Sequence, residues 1–96
     1  MINLSQIEWY YNSGPGTLCD VFSDEFMKAF GEFIAVTMPV AYSYFVKNYG
    51  STSYLELAQV ADSELHCITS QNLYHALYNF LLANDNFCQE FHNFII

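Results

Sequence analysis

The chain has 96 residues, 53% of them apolar and 19% aromatic, which excludes a disordered polymer and fits one domain with a modest core. Ten Asp and Glu stand against two Lys and no Arg, a net charge of −8, which argues against direct binding of DNA or RNA because that binding depends on Lys and Arg displacing counterions. Charged residues make up only 12%, about half the share usual for a soluble domain, so some apolar surface is expected to remain exposed and to mark an interface.

In chain order, the first segment places Ile2, Leu4, Ile7, Tyr10 and Tyr11 at loose helical spacing, with Asn3 or Ser5 as its cap. Segment 1–9 has no Lys or Arg and no apolar h-region, so no secretory signal is read and the expected location is cytoplasmic. Asn12-Ser13-Gly14-Pro15-Gly16 ends the first helix, and segment 17–22 leaves room for one short turn. It does not fit a phosphate-binding loop, because no Gly-Lys-Ser/Thr follows.

Segment 26–46 is the expected centre of the core. Ser23 is placed to cap it, and Asp24 and Glu25 bring negative charge to the first turn. Phe26, Phe30, Phe33 and Thr37 form one row, and Met27, Ile34 and Met38 another. Asp24, Lys28 and Glu32 form a narrow polar stripe able to pair at i,i+4. The uncharged window from Phe33 to Val46 is 14 residues, short of the roughly 20 a spanning helix needs, so no membrane span is expected. Pro39 should break or kink the helix, with Thr37 capping a second piece that runs to about Asn48 and ends at Gly50. A buried strand over Val40 to Val46 is the competing reading.

After Gly50, Ser51, Thr52 and Ser53 offer fresh caps for a helix over Tyr54 to Ala61, with Leu55, Ala58 and Val60 inside. Ser63-Glu64 can open a short turn. Ser70 is read as the cap of a helix over Gln71 to Ala83, with Leu73, Leu77, Phe80 and Leu81 on one face. Asn84-Asp85-Asn86 is a break, and Asp85 the cap of a last helix carrying Phe87, Phe91, Phe94 and Ile95. The fold class is all-α: a single compact domain, residues 1–96, of five or six short helices around a central apolar helix.

No motif names a chemistry. Residues 54–82 have the outline of a helix-turn-helix, but the second helix has no Lys or Arg to approach a major groove, so a plain helical hairpin is the better reading. Cys88 and His92, at i,i+4, form one pair of candidate metal ligands, with His66, Cys67 or His75 as further donors. Zinc sites show two close pairs, so no metal or other cofactor is expected. Cys67 and His66 are sequence neighbours and do not face one another on a helix, so no nucleophile is assembled and no enzyme is expected. Cys19, Cys67 and Cys88 are an odd, widely spaced set, read as free thiols.

What remains is the acidity. Asp20, Asp24, Glu25 and Glu32 cluster around the start of the central helix; Glu56, Asp62 and Glu64 form a second group. Trp9, Tyr10 and Tyr11 supply candidate aromatic anchors. The plain alternative is a solvated face that keeps a greasy chain soluble. The profile of size and charge is that of small acidic immunity proteins, antitoxins and anti-CRISPR proteins, and no motif ties the chain to any one family. The functional expectation is an inhibitor that binds a basic partner, such as a nuclease toxin or a nucleic-acid-handling complex. The alternatives are a homodimeric or structural interaction module, or a small metal- or ligand-binding module.

Overall fold

The computed structural model describes residues 2–13, 22–61 and 66–95; side chains of 11–13, 66–74 and 95 fall outside the description. Within it lie six α-helices and no strand: α1 (Leu4–Ser13), α2 (Asp24–Thr37), α3 (Pro39–Tyr49), α4 (Tyr54–Val60), α5 (His66–Ala83) and α6 (Asp85–Ile95). The radius of gyration, 12.3 Å, matches the roughly 12.5 Å expected of a compact chain of this length. The all-α expectation holds, and segment 40–46 is helical rather than a strand.

The helix starts follow local chemistry. At α1 the Asn3 side chain accepts from the Gln6 backbone N–H (3.0 Å), and the Gln6 side chain accepts from the Asn3 N–H (2.8 Å), a reciprocal capping box. Ser23 caps α2 through its Oγ, which accepts from the Phe26 N–H at 3.2 Å, and Ser53 caps α4 in the same way through the Glu56 N–H. Three expected boundaries are corrected. Met38, not Thr37, precedes α3, and the Thr37 hydroxyl donates back to the Phe33 carbonyl at 2.7 Å within α2. Ser70 lies inside α5, which already begins at His66. Asp85 is the first residue of α6 rather than its cap, and Asn84 supplies the first carbonyl, accepting from the Cys88 N–H. Of the short turn expected over 17–22 only Phe22 is described, as a bend, and the turn expected at Ser63-Glu64 lies outside the described residues.

The chain bends by 112° between α2 and α3, with Pro39 as the first residue of the new helix. Gly50 ends α3 in the left-handed region at φ 65°, where a side chain is disfavoured. No single described helix is long and apolar enough to cross a membrane.

α2 is the organising helix: it packs against α3, α4 and α5, most extensively against α4. Phe26, Met27, Phe30 and Ile34 are fully buried on it. The remainder of the apolar stretch, expected in the core, leaves it in part. Val36 is 74% exposed because it stands on the face of α2 away from Phe26, Phe30 and Ile34, and Val40 is 83% exposed because after the break at Met38 it is Ala41 and Phe45 that turn in. Phe80 of α5 holds the centre, its ring 5.3–5.7 Å from those of Phe30, Phe26, Phe87 and Phe33. A second aromatic group extends from Phe26 through Phe22, stacked at 4.6 Å, to Tyr10 and Phe91.

Candidate interaction surface

The described carboxylates singled out in the sequence are all on the outside. Asp24 and Glu25 occupy the first turn of α2, where the helix dipole favours them, and Glu32 lies two turns further along; all three are exposed. Glu56 is exposed in the first turn of α4, the helix seated most closely on α2. Asp20, Asp62 and Glu64 lie outside the described residues, so the two acidic groups are seen in part.

The aromatic anchors divide. Trp9 is 47% exposed on α1 and available for contact. Tyr10 is corrected from surface to core: it is 2% exposed, with its ring 5.6 Å from Phe91 and 6.1 Å from Phe22. The reason is the turn of the helix, which puts residue 10 on the inner face with Ile7 and residue 9 on the outer one. Tyr11 is within α1, and its side chain falls outside the description.

The structure also exposes side chains of the stretch expected to be core: Val36, Val40 and Tyr44 are open around the α2–α3 corner. Leu82, outside the apolar face read for α5, is open near the end of that helix. Val40 and Tyr44 are one turn apart on α3 and share a face. For Val40 and Tyr44 the advance signal was the Pro39 break, which changes the helix axis and with it the buried face.

Of the remaining acidic residues, Glu90 has a structural partner. Its carboxylate accepts from the Ser23 backbone N–H at 3.2 Å and lies 3.5 Å from the Ser23 hydroxyl, which joins α6 to the start of α2. A negative charge there also meets the positive end of the α2 dipole.

Cys88 and His92 are half-buried on α6 and, with Asp85 and Gln89, line a shallow surface pocket of about 300 Å³. Cys88 is a free thiol. His75 lines a different pocket, between α2 and α5. Among the described residues no group of three or more His, Cys, Asp or Glu side chains is arranged to hold a metal ion. The side chains of His66 and Cys67, the other donors considered, fall outside the description, as does Cys19.

The molecule is thus a small all-α domain with outward carboxylates and a set of open aliphatic and aromatic side chains. Comparison with protein-family models, with curated proteins and with solved structures finds no match to this chain.

Proposed function

We propose that this chain is a small acidic inhibitor that binds a basic, nucleic-acid-acting protein, such as a nuclease toxin, and occludes its nucleic-acid site. The observation that carries the reading is the combination of exposed Asp24, Glu25, Glu32 and Glu56 with a whole-chain supply of only two lysines. A surface of that sign accelerates encounter with a basic face and repels nucleic acid itself. Affinity would come from packed anchors at the centre of the contact, and Trp9 and the open side chains of the α2–α3 corner are suited to that.

The test is affinity capture from the native or neighbouring-gene lysate at low and high salt, followed by mass spectrometry. A basic nucleic-acid enzyme retained at low salt and weakened at high salt, and lost when Asp24, Glu25 and Glu32 are reversed to Lys, is the expected outcome. Unchanged capture after that reversal would remove the α2 patch from the interface. Recovery of the chain alone would remove the inhibitor reading for that lysate.

A second reading, a homodimer, is favoured by one observation: Val36 and Val40, on either side of the α2–α3 corner, are 74% and 83% exposed. Sedimentation analysis separates the two. A salt-resistant dimer that dissociates on Val40→Asp supports self-association; a monomer at all concentrations favours the inhibitor.

A further inference from the structure

Two surface pockets lie end to end along the seam between α2 and α5, and they share the half-buried ring of Phe33. One, of about 360 Å³, runs between Thr37 and Met38 on α2 and His75, Ala76 and Asn79 on α5. The other, of about 280 Å³, runs between Ala29, Glu32 and Val36 on α2 and Phe80 and Asn84 at the far end of α5. Residue numbers rise along one side and fall along the other, so the helices run antiparallel here. The seam from Ala29 to Met38 is about 13 Å long at 1.5 Å per residue, which is two to three turns of a docked helix. Small side chains at Ala29 and Ala76 leave the space, Phe80 and Phe33 give it apolar walls, and Val36 forms an open lip.

The fixed charge along this groove is negative. Among the described residues Glu32 is the only carboxylate lining it and no lysine lines it, and on the same helix Asp24, Glu25 and Glu32 outnumber Lys28, which stands one turn before Glu32. We infer that the α2–α5 groove is the docking site for a basic amphipathic helical segment of a partner protein. Apolar side chains one to two turns apart on that segment enter the two pockets on either side of Phe33, and a Lys or Arg beside them pairs with Glu32. A second copy of this chain cannot supply such a helix, since Lys28 and Lys47 are its only fixed cations and lie on different helices. The inference rests on the reading above for the sign of the partner's charge and specifies where that partner sits.

The probe is a synthetic amphipathic Leu/Lys helix of about 14 residues, long enough to span the seam, with a Leu/Glu helix of the same pattern as control. Binding is followed by NMR on the labelled full chain at about 0.15 M salt, where exposed charges are partly screened. The Leu/Lys helix should shift amides of Ala29–Met38 and His75–Asn84, and the Leu/Glu helix should not. Val36→Glu should weaken binding about tenfold although it adds a negative charge, because it removes a valine's worth of apolar burial. Glu32→Gln should weaken it about threefold, within the range of an exposed charge pair, and Glu8→Gln, exposed on α1 away from the groove, should leave it unchanged. Shifts scattered over Trp9, Glu56 and Asp85, with no effect of Val36→Glu, would overturn the groove in favour of diffuse charge attraction. A dimer of the free chain that Val36→Glu dissociates would overturn it in favour of a second copy. A captured basic partner that binds Val36→Glu and Glu32→Gln as tightly as the native chain would sink the groove and leave the inhibitor reading standing. A groove that takes the probe while no basic partner is ever captured would do the reverse.

Discussion

Gly31 occupies the middle of a helix, where glycine costs about 0.5–1 kcal/mol relative to alanine. The structure shows why it is there. A Cβ at this position would collide with the backbone carbonyl oxygen of Tyr54 and stand 2.6 Å from its carbonyl carbon, so the close approach of α4 to α2 requires its absence. Backbone cannot swing aside as a side chain can. Gly31→Ala should therefore lower stability by about 1–3 kcal/mol despite its better helix propensity, read as a lower urea midpoint with circular dichroism. An unchanged midpoint would mean that α4 does not seat here. Ser23 makes a second test at this scale. Ser23→Ala removes the α2 cap and should cost about 1 kcal/mol. Glu90→Ala should cost about 0.5–1.5 kcal/mol by breaking the bond to the Ser23 N–H, and the two should combine non-additively because they share one residue. Additive losses would show that the tether and the cap act separately. The cap was legible in the sequence, since a serine before two acidic residues is a local signal. The tether was not, because its partners are 67 residues apart.

Among elements, the α2–α3 corner carries the most information. Pro39 announced a break, and the break is there; its angle and outcome were not readable. Before it, burial follows the Phe26, Phe30 and Ile34 spacing; after it, Ala41 and Phe45 take over from a different face. Hydropathy counts residues along one axis and is blind to a change of axis, which is why the most apolar window contains the most exposed valine. α4 has no such break, and there it is the choice of face that differs: Leu57 is fully buried with Ala58, while Leu55 and Val60, expected inside, are only partly buried. In α5 the expected cap lies inside the helix. Ser70 has the chemistry of a cap, but a capping residue stops nothing unless the chain before it is non-helical. At Gly50 the local signal sufficed. A Cβ there would meet nothing within 4 Å, yet φ is 65°. Gly50→Ala should thus cost about 1–2 kcal/mol for purely conformational reasons. That corresponds to a fall in melting temperature of about 4–8 °C per kcal/mol for a domain of this size. No fall would mean that α3 ends without the left-handed residue.

For the whole molecule, cohesion is concentrated in aromatic rings. Phe80 touches rings from α2 and α6 at once, and Phe22 links Tyr10 of α1 with Phe91 of α6. Phe80→Ala should cost about 3–5 kcal/mol, a large share of the 5–15 kcal/mol that holds a typical domain together. Its near-UV dichroism should weaken together with its urea midpoint. Val36→Glu, at a 74% exposed position, should change stability by no more than about 0.5 kcal/mol. A large loss there would show that the α2–α3 corner is covered by another part of the molecule, and with it the α2–α5 groove would close.

By itself the sequence determined the helical class, the breaks at Pro39 and Asn84, the end of α3 at Gly50, and the sign of the charge. These depend on spacing, capping and charge, which are local or additive and survive without three-dimensional information. Tertiary structure alone decided that Val36 and Val40 face outward, that Glu90 closes on Ser23, and that Phe33 divides a groove between α2 and α5. Each of those depends on which helix faces which. That choice is made by non-local packing of large rings against one another, and no window of sequence contains both sides of such a contact.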